Sequence, residues 1–139
     1  MYIQIDDEVQ RPGYTKIELT TKLDSIAYPS QVVEIYCPCI LNYVSLDEIT
    51  KYLTQFHYYL RSGGKLIIGG VDCYILSKLC SSRVITEEEY NNLLFSNPVF
   101  KCVHSLQKVK SLLQNSGFFI DDISVQEKNA RFTIEAIKQ

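Results

Sequence analysis

Apolar and polar positions along this chain follow two periods, and the switches between them mark its elements. Tyr2-Ile3-Gln4-Ile5 is a short apolar run stopped by the acidic pair Asp6-Asp7, which predicts a first strand. Pro12-Gly13 turns the chain into a second strand, Tyr14 to Leu19; residues 20–30 read as polar connection, and Val32 to Cys37 is a third strand. Ser45 with Glu48 three positions on has the capping-box pattern of a helix start. In the helix that follows, Ile49, Leu53, Phe56 and Leu60 recur at spacings of four, three and four, which puts them on one face. Leu60 to Asp72, LRSGGKLIIGGVD, then reads as a helix end, a glycine turn at Gly63-Gly64, a strand with Leu66 to Ile68 buried on both faces, and an acid at its tip. A longer connection leads to Thr86 and Glu89, which open a second helix carrying Tyr90, Leu93 and Leu94. Leu106, Val109, Leu112 and Leu113 mark a third, ended by Gly117. Strands at Phe118 to Val125 and Arg131 to Ile137, joined by the polar turn 126–130, make an antiparallel hairpin.

Strands alternating with helices imply a parallel sheet, and the terminal hairpin sets an antiparallel strand into one edge. With 139 residues and 46% hydrophobic content, a single α/β domain spanning 1–139 with a real core is expected. A net charge of -2 with scattered lysines gives no footprint for nucleic acid. No apolar stretch is long enough to span a bilayer, and the acidic, polar first residues do not read as a signal peptide, so a cytoplasmic protein is expected. Five cysteines, Cys37, Cys39, Cys73, Cys80 and Cys102, lack paired zinc spacing, and the two histidines are far apart, so no metal site is expected. Cys37 and Cys39 are expected to share a strand face.

Two stretches carry a resemblance to a family. Val32 to Tyr43, VVEIYCPCILNY, and Leu60 to Asp72 align without a gap with the V-D-E-I-Y-x-x-x-V-L-E-H and L-K-P-G-G-x-L-x-I-x-x-P-D segments of the small class I S-adenosylmethionine-dependent methyltransferases. Arg11-Pro12-Gly13-Tyr14-Thr15-Lys16-Ile17-Glu18 is similar to their P-G-Y-x-N-x-D, and Leu94-Phe95, His104 and Leu112 to Phe118 to their L-F, H and L-L-x-x-A-G-F. The resemblance covers most of the chain. It implies a Rossmann-like, mostly parallel sheet of seven strands with a C-terminal antiparallel hairpin and helices on both faces, with S-adenosylmethionine as cofactor.

The resemblance also sorts the candidate residues. Glu18 stands where the family's acid grips the ribose hydroxyls. Asp6 and Asp7 stand where the family has its glycine-rich loop, Cys39 and Tyr43 follow the third strand on the cofactor side, and Tyr36 or Tyr43 offers a ring for adenine. Asp72 is the candidate base or substrate anchor, with a loop-capping carboxylate as the alternative, and His104 the candidate general base. The departures fall at these same places: Ile5-Asp6-Asp7 holds no glycine, Glu-His has become Asn42-Tyr43, and the proline of P-D has become Val71. Two functions follow. One is methyl transfer to O or N by in-line attack, where the enzyme mainly aligns the reactants. The other is a non-catalytic binding or assembly module, a role open to shortened versions carried by phage or other mobile elements. In that case the strand-end rim, with Asp72 and Tyr74, or sheet surface left bare between the first two strands, would meet a partner or a second copy.

Overall fold

The computed structural model describes residues 1–5, 9–98 and 100–139. Strands β1 (Tyr2–Ile5), β2 (Thr15–Ile17), β3 (Val32–Cys37), β4 (Leu60–Val71), β5 (Phe118–Gln126) and β6 (Arg131–Lys138) form one sheet in the order β2-β1-β3-β4-β6-β5. The first four are parallel, and β6 runs antiparallel to both β4 and β5. The helices are α1 (Leu46–Tyr59), α2 (Cys73–Ser81), α3 (Glu87–Phe95) and α4 (Leu106–Asn115). This is the mostly parallel, Rossmann-like α/β architecture with an antiparallel C-terminal hairpin, flanked by helices.

Side-chain alternation along each strand divides the sheet into two faces. Ile3, Ile35, Leu66 and Ala136 stand in register across four strands, with Cys37, Ile68 and Ile134 in the next row, and all are buried. Against them pack Ile49, Leu53 and Phe56 of α1 and Val109 and Leu113 of α4 in one continuous core. Each such side chain contributes about 1.5 to 3 kcal/mol through its burial. The opposite face is unevenly covered. Val71, of opposite parity at the end of β4, packs with Leu76, Ala130 and apolar residues of α2 and α3 in a second cluster. Farther back on that face Tyr36, Ile67 and Ile137 are half-buried, and Tyr2 and Phe119 are exposed. The cause is chain length. Parallel β1 and β2 are joined by residues 6–14, shorter than the dozen or so residues a helical crossover takes.

Helix α1 ends at Tyr59, ahead of the glycine turn expected to end it, and Leu60 to Gly64 already belong to β4. Leu60 turns extended, Val32 pairs with Leu60 and Glu34 with Lys65, so the residues between them loop out of the ladder. Gly63 makes this possible at φ 73, a conformation side chains other than glycine's disfavour.

Several expectations are corrected. The described residues hold six strands rather than seven, because residues 18–31 between β2 and β3 contain only a 3-10 turn, Leu23–Ser25, with Leu23 in the core. The second strand is Thr15–Ile17 rather than Tyr14 to Leu19, and the central strand extends well beyond Leu66 to Ile68. The connection after it contains α2. Cys37 ends β3 and Cys39 lies beyond it, so they share no strand. Of the two capping boxes, Thr86 and Glu89 form theirs fully, whereas Ser45 gives its hydroxyl proton to Glu48 Oε1 at 2.8 Å instead of accepting from the helix backbone. No described helix is long and apolar enough to cross a membrane.

Phe56 is 1% exposed on the central face of α1. Replacing it with alanine should lower stability by about 3 to 5 kcal/mol in urea denaturation, the cost of an aromatic-to-alanine cavity. An unchanged midpoint would remove Phe56 from the core.

Candidate functional site

The candidate site is fixed by topology. Strands β1 and β3 are neighbours, yet β1 connects onward to β2 on one side and β3 to β4 on the other, so a crevice opens past their carboxyl ends at Ile5 and Cys37. Glu18, Cys39 and Asp72 follow β2, β3 and β4 on this edge. Because the hairpin is antiparallel, Gln126 at the end of β5 and Arg131 at the start of β6 lie on the same edge, opposite Val71. Asp6 and Asp7 lie outside the described residues.

Asp72 is 4% exposed and caps the start of α2. Its Oδ1 accepts from the Tyr74 and Ile75 amides at 2.8 and 2.9 Å, and its Oδ2 from the Leu106 amide at 2.7 Å, the first residue of α4. Its own amide donates to the Ala130 carbonyl at 2.7 Å, and the Cys73 amide to the His104 carbonyl at 3.1 Å. The structure thus brings Asp72 and His104 together, as a backbone bridge. His104 is 2% exposed, and its Nε2 lies 3.1 Å from the Val44 carbonyl, which assigns the ring proton to Nε2. Nδ1 is then a buried acceptor without a protein partner, as is Oδ1 of buried Asn42, whose Nδ2 donates to the Cys102 carbonyl at 3.3 Å. Asp72 and His104 are thus both buried and both hydrogen-bonded to backbone groups.

The cofactor-side candidates divide. Glu18 is exposed and makes no side-chain hydrogen bond among the described residues, so its carboxylate is available at the tip of β2. Tyr43 packs edge-on against Phe100, ring centroids 5.4 Å apart. Tyr36 is covered by the Arg11 guanidinium, 4.1 Å from its ring centre and 5.0 Å from that of Tyr14. Tyr14 donates its phenol proton to Glu34 Oε1 at 2.5 Å. Desolvation and then this hydrogen bond push the Tyr14 pKa up to about 12. Cys39, with Tyr36, Ser124, Gln126, Arg131 and Thr133, lines a cleft of about 110 Å³. The thiols of Cys73 and Cys102 are pushed up by burial, which disfavours the reactive thiolate.

Ser124, Gln126, Arg131 and Thr133 are absent from the sequence reading. They gather only through the register of β5 on β6, and the one sequence signal is the polar alternation Arg131, Thr133, Glu135 in an otherwise apolar strand.

The fold these elements define is that of the class I S-adenosylmethionine-dependent methyltransferases. A Mesorhizobium loti S-adenosylmethionine-dependent methyltransferase matches with a TM-score of 0.62 at 13% identity, over 94% of this chain and 72% of that one. An Archaeoglobus fulgidus methyltransferase of the same dependence gives 0.63 at 11% identity, over 98% and 75%. Burkholderia thailandensis 1,6-didemethyltoxoflavin-N1-methyltransferase, solved with 1,6-didemethyltoxoflavin and S-adenosylhomocysteine, gives 0.60 at 14%, over 99% and 60%. The chain thus spans from 60% to 75% of the length of these neighbours. No family model and no curated protein matches its sequence.

Two measurements check this geometry. Asp72→Ala strips three amides of their acceptor and should cost about 2 to 3 kcal/mol of stability in chemical denaturation, with Asp72→Asn falling between it and the parent. In an alkaline absorbance titration, Tyr14 should ionise near pH 12, above the ordinary phenol value of about 10. Its folded-state pKa lies above the unfolded value of about 10, so its contribution to stability is complete below pH 10 and lost as pH rises toward 12. Tyr14→Phe should abolish the late step.

Proposed function

We propose that this chain is a methyltransferase-like protein whose fold serves binding rather than methyl transfer. The observation that carries this reading is the Asp72 carboxylate. A base or substrate anchor needs an accessible lone pair, and this one is buried with both oxygens committed to backbone amides. His104, equally buried, reaches no described cleft.

The fold implies S-adenosylmethionine, and the fit of the residues present is divided. Glu18 suits the ribose hydroxyls. At the methionine end, the backbone has to approach the cofactor closely, and Ile5-Asp6-Asp7 supplies no glycine for that approach, while its two carboxylates would accept from the cofactor's ammonium and repel its carboxylate. The rings expected to stack on adenine are engaged on Arg11 and Phe100. Taken together, these residues do not fit the whole cofactor, and no catalytic step is assigned to it.

Calorimetric titration with S-adenosylmethionine and S-adenosylhomocysteine tests the proposal. The expected result is no saturable heat at ligand concentrations up to about 1 mM, equivalent to less than about 4 kcal/mol of binding. Micromolar binding that disappears in Glu18→Ala would restore the enzyme reading.

A further inference from the structure

The cleft that Cys39 lines has a chemistry of its own. Ser124, Thr133 and Gly69 stand in register across β5, β6 and β4, so two hydroxyl-bearing residues follow one another beside a position with no side chain. A Cβ at Gly69 would come within 2.2 Å of the Phe132 carbonyl and 2.6 Å of the Pro38 carbonyl, both from residues of the cleft wall. Position 69 is therefore restricted to glycine, and no side chain stands beside Thr133 on β4.

The polar groups that line the cleft are rich in donors. Arg131 is half-buried and forms no ion pair and no side-chain hydrogen bond among the described residues. The Gln126 Oε1 is already taken by Asn129 Nδ2 at 3.2 Å, which leaves its NH2 group to donate. Tyr36 adds a phenol, and no carboxylate among the described residues lines the cleft. A second cation, Arg11, lies over the Tyr36 ring. An unpaired guanidinium with hydroxyl and amide donors calls for an oxyanion, since only an acceptor satisfies all of them together. The volume of about 110 Å³ suits one small anionic group and falls well below that of a pocket for a whole drug-sized ligand.

We propose that this cleft binds a small oxyanion, the phosphoryl or carboxylate end of a ligand, with Arg131 as its charge partner and Ser124, Thr133 and Gln126 as its hydrogen-bond donors. The inference is independent of cofactor binding, because the cleft contains neither Glu18 nor the residues after β1.

Amide NMR of the full-length 15N-labelled chain, titrated with inorganic phosphate and separately with acetate against sodium chloride of equal ionic strength, tests it. Saturable shifts are expected at Gly69, Ser124, Gln126, Arg131 and Thr133. Saturation by phosphate alone assigns a phosphoryl group, by acetate alone a carboxylate, and by both the shared oxyanion chemistry. Arg131→Gln should weaken binding by at least about tenfold, as expected for loss of a charge-assisted pair, and Thr133→Val by a few-fold. The proposal is overturned if neither anion gives saturable shifts at these amides, or if Arg131→Gln binds as tightly as the parent. Should that variant not fold, Thr133→Val decides, and undiminished affinity there overturns it. S-adenosylmethionine is absent from every arm, so failure here leaves the reading of the cofactor crevice untouched.

Discussion

The carboxylate of Asp72 ties together more of this structure than any other side chain. It ends β4, caps α2 through two amides and receives the first amide of α4, while its own backbone holds Ala130 at the head of β6. A buried ionised carboxylate is tolerated only when its lone pairs are met, and here three amides meet them. Two of the donors belong to the first turn of α2 and one to that of α4, so the positive ends of two helix dipoles converge on one negative charge. The ends of the central strand, both flanking helices and the hairpin are thereby positioned relative to one another. Turning this carboxylate away would release the amides of Tyr74, Ile75 and Leu106 together.

Much of the fold was legible because burial leaves a period in the sequence. The face Ile49, Leu53, Phe56 gave α1, the run Leu66 to Ile68 gave the central strand, and the polar break at 126–130 gave the hairpin. Helix α2 escaped because its cap is Asp72 itself. A capping carboxylate is one reading of that residue, yet the sequence does not show the helix it caps, since Cys73–Ser81 carries no Glu three positions inside to mark a capping box. Ser45 misled in the opposite sense: its spacing to Glu48 is right, but the serine hydroxyl donates to the glutamate rather than capping the backbone. The missing strand was beyond the reach of periodicity, because it depends on how little chain lies between Ile17 and Val32.

Of the candidate site, the sequence makes legible only positions at strand tips. Glu18 lies where the resemblance places it, on the carboxyl edge. The cleft around Arg131 depends on which residues of β5 and β6 face each other, and the bulge between Ile120 and Asp122 shifts that register in a way no linear pattern reveals.

The short connection between β1 and β2 links these observations. Residues 9–11 of that connection close the second face of the sheet locally. Gln4, fully buried on β1, accepts the Arg11 amide at 2.8 Å and donates to the Val9 carbonyl at 3.2 Å, drawing residues 9–11 back over the strand. Arg11 then lies over Tyr36 and beside Tyr14, and Tyr14 is tied to Glu34. A cation stacked on aromatic rings, with its charge answered by a nearby carboxylate, takes the place that an apolar helix face would fill, and is worth about 0.5 to 2 kcal/mol against several for a buried helix stripe. The exchange leaves Ile67 and Ile137 half-covered and commits Tyr36 to packing. The packing of Tyr36 and the cover of this sheet face thus depend on the same few residues, 9–11. The edge next to the hairpin, held by β4 and β6 and anchored through Asp72, does not draw on them, and its Arg131 has no ion-pair partner among the described residues.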